Sequence, residues 1–570
     1  MRGLPAFLIL VPVLAPVLVS TPLLALKPPA LTTRARPRLV VVVSVDQLSA
    51  ELMQTYGPEL TGGLARLRQE GVSFTEAYHD HGFTETGPGH SVLLSGRFPA
   101  NTGIVENRWF DRSAGRLVYC VEDAAAKPLP AAGPSGSSWG SSWGSSNTRF
   151  LGDGLGDWLQ AQVPGSRAFA VSGKDRAAIL MAGRKPTAAY WFSGAVGFGT
   201  STTYAQRLPE WLLRFDSGLQ ERFATRSWLW TKTPGTPEGR VATWTFPGQV
   251  IRNGALPRLI QGAGMPLDKT FEARFRKSPF LDEVTLEAAE ALMEAEKLGQ
   301  GPATDLLAVS FSATDYIGHS YGILGTEMRD QLHRLDRTLG RLLEIVRRRD
   351  PRAWVILSAD HGGMDLPEAL ADQGFPARRV NPPVFLNELR AELKAAFKVD
   401  ADLLLESPEP NSLYLREAAL KATGLDRKAV LARMQAWLRA RPEVADAFTA
   451  EDLAATDPSP AGSPRDSSLR VLLRRSFRAD RSGDVLVAFK PWVVFGVPPV
   501  EWATGHGTPY GYDRRVPLIF WGPWKGGERP SPVRTVDLAP TLAQELGIQP
   551  GAVDGQALDL GRAATTNRKK

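Results

Sequence analysis

Cysteine is almost missing from this chain, which has one, Cys120, in 570 residues. An internal disulfide and a thiolate-held metal cluster are thereby excluded, and a tightly held metal must use imidazole and carboxylate ligands. Cys120 lies in the strand-like run Leu117–Val121 and reads as an inert buried group. Histidine is scarce too, with seven residues. No sustained Lys/Arg run exists; Arg347-Arg348-Arg349 and Arg568-Lys569-Lys570 read as solvated ends. No zinc-finger or basic-zipper spacing occurs either. Nucleic acid is therefore not expected as a specific partner, despite a net charge of +7 and an isoelectric point near 9.4. No repeat of fixed period is present.

Long apolar runs are also lacking beyond the first residues. Arg2 precedes an apolar stretch from Leu4 to Leu26, which reads as a signal peptide over 1–26. An uncleaved anchor is the alternative, opposed by Pro5, Pro12, Pro16 and Pro22, which disfavour a spanning helix. Either reading places the body outside the cytoplasm, periplasmic or secreted, with no stable membrane contact unless this segment is retained. A monomer is expected.

Strand-like runs alternate with helical patterns from Arg38 onward. Arg38–Asp46, Arg167–Ser172, Ala189–Phe192, Asp305–Phe311, Trp354–Ser358, Asp484–Phe489 and Val516–Trp521 are rich in β-branched and aromatic residues. Helical patterns fall at 60–71, 283–297, 327–349 and 537–547. Such alternation predicts an α/β fold with a mostly parallel sheet flanked by helices. The domain reading is a catalytic core over 37–363, an inserted smaller lobe over 364–483, core again over 484–560, and a polar tail over 561–570. A Gly/Ser-rich segment carrying Trp139 and Trp143 predicts a flexible loop over 133–147.

The chemistry-bearing residues cluster after these strands. Asp46 closes the first run, where it could also be a helix cap. Thr86-Gly-Pro-Gly-His90 precedes an apolar run, so Thr86 is placed beside a helix N-terminus, a location that favours phosphate. Asp315 and His319 stand four apart and face one way on a helical turn. Asp360-His361 sits at a bend before two glycines, and His506 lies between Gly505 and Gly507. Ligands of open α/β sheets bind off the carboxyl ends of strands. Three carboxylates and three imidazoles there suffice for two Zn²⁺ with open positions for substrate. Lys174 and Arg176, just past another strand, suit an anion, although alone they could be a surface cluster. Asn107 lies in a turn. His79, His81, His90 and His333 are left as loop, supporting or surface residues.

Together, Asp46, Thr86-Gly-Pro-Gly-His, Thr314-Asp-Tyr-Ile-Gly-His319, Asp360-His361-Gly and Gly505-His506-Gly resemble the alkaline phosphatase superfamily, in its type I phosphodiesterase and nucleotide pyrophosphatase branch. Asn107, Lys174-Asp-Arg176 and Ala-Tyr-Trp-Phe192 are similar to the secreted bacterial alkaline phosphatases with a Thr nucleophile. The resemblance implies an alkaline-phosphatase-like fold. It implies one zinc on Asp315, His319 and His506, and a second on Asp46, Asp360, His361 and the Thr86 oxygen. Thr86 would be the nucleophile of a phosphothreonine intermediate, with Asn107, Lys174 and Arg176 on the phosphoryl oxygens. The expected substrate is a small phosphate monoester, with weaker diesterase activity. The alternatives are a nucleotide pyrophosphatase or phosphodiesterase and, more remotely, a non-catalytic zinc-binding protein.

Overall fold

In the computed structural model, residues 36–130 and 144–561 are described, apart from 247, 408, 460 and 497–501. The expected leader, most of the Gly/Ser/Trp loop and nearly all of the tail lie outside the described residues. Leu39–Val45 (β1) reads Leu-Val-Val-Val-Val-Ser-Val and is buried throughout. Such a run suits a strand covered on both faces. In chain order, the elements that shape the site begin with Val72–Tyr78 (β2), the helix Thr86–Ser95 (α1) and Arg167–Ser172 (β3). The helix Asp175–Ala182 (α2), Ala188–Phe192 (β4) and Phe198–Ser201 (β5) follow. Next are Asp305–Phe311 (β6), the helices Ala313–Tyr321 (α3) and Thr326–Arg349 (α4), and Trp354–Ser358 (β7). Ser412–Leu413 (β8), Val444–Thr449 (β9), Val485–Phe489 (β10) and Arg515–Trp521 (β11) complete the set.

The central sheet has eleven strands in the order Gly527–Arg529, β2, β11, β7, β1, β6, β3, β4, β5, Pro128–Leu129, with Val533–Arg534 also paired to β2. From β7 through β4 the pairings are parallel, whereas β11 is antiparallel to both neighbours. The sheet is thus mostly parallel, as the alternation predicts. Successive side chains of β1 enter opposite apolar layers, Val41 and Val43 on one face and Val40 and Val42 on the other.

Register explains where the site forms. Ser44 of β1 pairs with Ser310 of β6 and Ser358 of β7, and Ser310 pairs with Ser172 of β3. Asp46, Asp360 and Lys174 each stand two residues beyond this serine row. Asp315 follows the row within the first turn of α3. Parallel strands therefore deliver these groups to one sheet edge.

Three sequence expectations shift. Val485–Phe489 does not resume the central sheet: β10 lies between β8 and β9 in a separate antiparallel sheet. Its apolar residues Val485 and Val487 pack with Leu389, Leu413 and Leu438 of the inserted region. A buried strand's composition cannot reveal which sheet it joins. The flexible loop ends sooner than 147, because Gly144–Ser145 forms a short strand against Glu122–Asp123, and Ser145 donates to Asp175. Finally, the helix expected over 60–71 begins at Gly63, after a 3₁₀ turn containing Pro58, and a helix over Ala50–Tyr56 precedes both.

Candidate active site

Thr86 is the first residue of α1, with Glu85 as its cap in extended conformation. The Gly-Pro-Gly that follows serves close approach: a side chain at Gly89 would overlap the Asp360 carbonyl. The helix N-terminus is thereby seated against the bend after β7. Its free N–H groups and dipole favour a phosphoryl group there. The Gly87 N–H donates to Asn107 Oδ1 at 2.7 Å, and the Asn107 N–H donates to Glu85 Oε2 at 2.6 Å. With its carbonyl so engaged, Asn107 keeps its amide NH₂ for another acceptor. Arg176, at the start of α2, donates from Nη2 to Thr86 Oγ1 at 3.1 Å. Tyr119 donates its hydroxyl to Asp175 and accepts from Arg176, which steadies the guanidinium.

Two sets of carboxylate and imidazole atoms flank Thr86. In one, His361 Nε2 lies 3.4 Å from Asp46 Oδ1 and 3.3 Å from Asp360 Oδ2. In the other, His319 Nε2 and His506 Nε2 lie 3.3 and 3.5 Å from Asp315 Oδ1. Tetrahedral ligands with 2.0 Å bonds to one zinc stand ~3.3 Å apart, so both sets have metal-ligand spacing. The imidazoles are prepared for it. His319, His361 and His506 each place Nδ1 on a backbone carbonyl, of Thr504, Gly362 and Thr84 respectively. That contact puts the proton on Nδ1 and leaves the Nε2 lone pair facing the carboxylates. Asp46 Oδ1 and His361 Nε2 are buried without a hydrogen-bond partner. Orphaned acceptors at this spacing fit a divalent cation. His361 stacks on His506 at 3.6 Å between ring centroids, and it also groups with Asp315 and His506, so the two sets adjoin.

Electrostatics agrees with that reading. Burial, reinforced by Asp315 and Asp360, pushes the Asp46 carboxyl well above the usual carboxylate range. Burial also works against charge on Asp315, but Lys174 and His319 outweigh it and hold that group low. Burial lowers His361 and His506, which keeps them neutral as ligands must be.

All ten residues expected from the sequence meet around one cavity. Thr86, Asn107, Lys174, Arg176, Asp315, His319 and His506 line it, and Asp46, Asp360 and His361 lie buried beside them. Lys174 stands differently from the expected paired clamp. Its ammonium lies 2.6 Å from Asp46 Oδ2 and 2.5 Å from Asp315 Oδ2, bridging the two carboxylate sets, while Arg176 alone contacts Thr86.

Several participants escape sequence reading. Gln47 donates from Nε2 to Asp315 and from its backbone to Asp360, and it does so at φ 66°. That left-handed conformation is costly for Gln and tilts its amide between the two sets. Of the alternatives left open for His90, the supporting one is taken: its Nδ1 is 3.0 Å from Asp360 Oδ2 and its Nε2 meets Ser310. Tyr316 places its ring 4.8 Å from the Lys174 ammonium. The Ser-x-Asp and Ser-x-Lys steps at strand ends mark Asp46, Asp360 and Lys174, but no such step marks Gln47, His90 or Tyr316.

The chain is similar to known proteins along most of its length. The family model for type I phosphodiesterase / nucleotide pyrophosphatase matches residues 40–494. Alkaline phosphatase PhoK of a Sphingomonas species is 36% identical over 92% of this chain and 91% of its own. Alkaline phosphatase PhoD of Zymomonas mobilis is 35% identical over 93% of this chain and 89% of its own. Among solved structures, wild-type alkaline phosphatase PafA superposes with a TM-score of 0.78 at 26% identity, over 92% of this chain and 99% of that one.

Proposed function

The chain belongs to the type I phosphodiesterase / nucleotide pyrophosphatase family and is a phosphatase enzyme, and from that premise we propose that it hydrolyses phosphate monoesters through a phosphothreonine at Thr86. The carrying observation is a Thr86 hydroxyl at a helix N-terminus, contacted by Arg176 and flanked by two metal-spaced sets. Asp315, His319 and His506 would hold one zinc; Asp46, Asp360, His361 and Thr86 Oγ1 would hold the other. Zinc supplies charge that favours the ionised hydroxyl and neutralises developing oxyanions.

In this reading the Thr86 hydroxyl releases its proton to water, its Oγ bonds to phosphorus, and the ester oxygen departs with its electron pair and takes up a proton from water. A water then bonds to phosphorus, releasing phosphate and restoring the hydroxyl. Asn107 donates its amide N–H to one nonbridging oxygen, and Arg176 engages the others through its planar fork. Lys174 supplies a second buried positive charge. A monoester dianion carries more charge on those oxygens than a diester, so Arg176 at Thr86, with the Lys174 charge behind it, favours the monoester. A solved PafA variant carries substitutions at a Thr, an Asn, a Lys and an Arg, the four residue types placed around this phosphoryl position. We further propose that the enzyme is a secreted or periplasmic monomer.

The second reading, a diesterase, has the family description in its favour. Hydrolysis of an aryl phosphate and of its methyl diester, measured on protein whose metal content is determined in parallel, separates the two. The proposal expects two zinc ions and a preference for the monoester. A preference for the diester would overturn it.

A further inference from the structure

The cavity that holds Thr86 extends well beyond a phosphoryl group, to about 460 Å³. On one side its wall carries Glu85, Glu106, Glu409 and Asn411. Glu106 is only 2% exposed, and its Oε1 has no hydrogen-bond partner. Asn411 is 6% exposed, and its Oδ1 is equally without a donor. These are buried acceptors on two residues that line the cavity, contributed independently by the turn before Asn107 and by the segment leading into β8. The Arg176 guanidinium acts on Glu85, and Glu106 lies next to two further carboxylates, Glu85 and Glu409. Burial raises the Glu106 carboxyl, and its neighbours Glu85 and Glu409 add to the effect, whereas Glu409 itself is exposed. A buried acceptor without a donor costs free energy, and neighbouring carboxylates compound that cost. A cation bound beside the wall would offset this cost, in place of a proton on Glu106.

The kind of cation follows from spacing. The atoms of Asp46, Asp360 and His361, and of Asp315, His361 and His506, gather tightly enough for one ion; Glu85, Glu106 and Glu409 do not. An ammonium group, with three N–H donors that can address separate acceptors, fits this arrangement better than a bare metal ion. Phe83, Val487 and Phe489 line the same cavity and suit a short alkyl spacer.

We propose that Glu106, Glu409 and Asn411 form a subsite for a primary ammonium group on the leaving alcohol, so that aminoalkyl phosphates are preferred monoester substrates. This rests on the monoesterase reading and specifies its substrate class. The same wall disfavours leaving groups that carry extra negative charge.

The test uses the metal-loaded enzyme at pH 8, where an alkylamine is cationic. Hydrolysis of 2-aminoethyl, 3-aminopropyl and 4-aminobutyl phosphate is compared with that of propyl, butyl and pentyl phosphate. The expected kcat/KM ratio favours at least one amine by about tenfold, a difference of about 1.4 kcal/mol. Glu106→Gln and, separately, the more accessible Glu409→Gln should each lower that ratio about threefold or more. Equilibrium binding of 2-aminoethylphosphonate against propylphosphonate reads ammonium recognition without turnover. Absence of hydrolysis with that binding ratio intact would sink the monoesterase reading and leave the subsite standing. A ratio near one at every chain length in both assays would overturn the subsite. So would equal losses on both ester types in both variants, or loss of the amine preference on adding Mg²⁺ or Ca²⁺.

Discussion

Thr86 owes its chemistry to residues distant in the chain. Arg176 is 90 positions away, and the imidazoles of His319, His361 and His506 arrive from three later segments. Thr86→Ala should abolish phosphoenzyme formation and lower turnover by about a thousandfold or more, while metal content largely survives. Retained phosphoenzyme, trapped by acid quench, would exclude Thr86 as nucleophile. Arg176 and Lys174 should separate by function. Arg176→Ala removes a charge-assisted hydrogen bond at the phosphoryl position and should cost a monoester about 10- to 100-fold, with a smaller loss for the diester. Lys174→Ala leaves Asp46 and Asp315 without their shared ammonium, and it should alter metal affinity as well as turnover. Metal titration of the two variants distinguishes these outcomes. The residue types of the site stood out in the sequence, because strand-end Asp, His and Lys are unusual in company. The contacts did not: nothing in a linear chain shows that Lys174 would lie on Asp46 and Asp315.

Elements depend on single side chains in ways composition does not reveal. The helix Gly63–Glu70 begins at a glycine cap with no side-chain acceptor. Asp336 of α4 supplies it instead, accepting from the N–H groups of Thr61, Gly62, Leu64 and Ala65. A side chain at Gly63 would overlap the Gly340 backbone, so the glycine permits the close packing that brings Asp336 within reach. Asp336→Ala should destabilise the fold by about 2–4 kcal/mol, because it orphans several donors at once. Denaturant unfolding measures this, and a loss below about 0.5 kcal/mol would contradict the assigned role.

Asp216, in the helix Glu210–Thr225, gives a pH test. Burial pushes its carboxyl up to about 7 from an ordinary 3.8, against the Phe198 N–H it accepts. The folded state therefore holds a proton that the unfolded state has released. The resulting stability is full below pH 3.8 and is lost as pH rises through about 7. Asp216→Asn keeps the acceptor without the charge, so it should raise the melting temperature at pH 8.5 and change it little at pH 4. An equal shift at both pH values would rule out this titration.

At the scale of the molecule, the inserted region closes the cavity that the central sheet opens. Asn411, Val487 and Phe489 line it from that side. The region is tied to the core by Asp80, which receives Arg475, Arg514 and Arg534 at 2.5, 3.2 and 2.7 Å. Arg475 also holds the Pro458 and Ser459 carbonyls, and Arg534 the Gly462 carbonyl. Buried charges paired this fully are costly to break one at a time. Metal should contribute on the same scale, since Asp315 and Asp360 crowd Asp46 and the single Lys174 ammonium faces three carboxyls. Dialysis against a chelator should lower the melting temperature as well as abolish activity, and zinc should restore both. A melting temperature indifferent to chelation would argue against tight binding at these sets.

The sequence by itself determined the α/β class, the exclusion of cysteine chemistry and the candidate residues for metal and phosphate. β-branched runs and strand-end polar residues are local patterns, and local patterns survive in a linear reading. Tertiary structure alone decided which sheet Val485–Phe489 joins, that Gly144–Ser145 is a strand, and that Lys174 bridges carboxylates instead of pairing with Arg176 at Thr86. It also turned Glu106 and Asn411 from unremarked residues into buried, unpaired acceptors on the cavity wall. These features arise between segments hundreds of residues apart, through register, burial and the accounting of donors against acceptors, none of which is defined until the chain has folded.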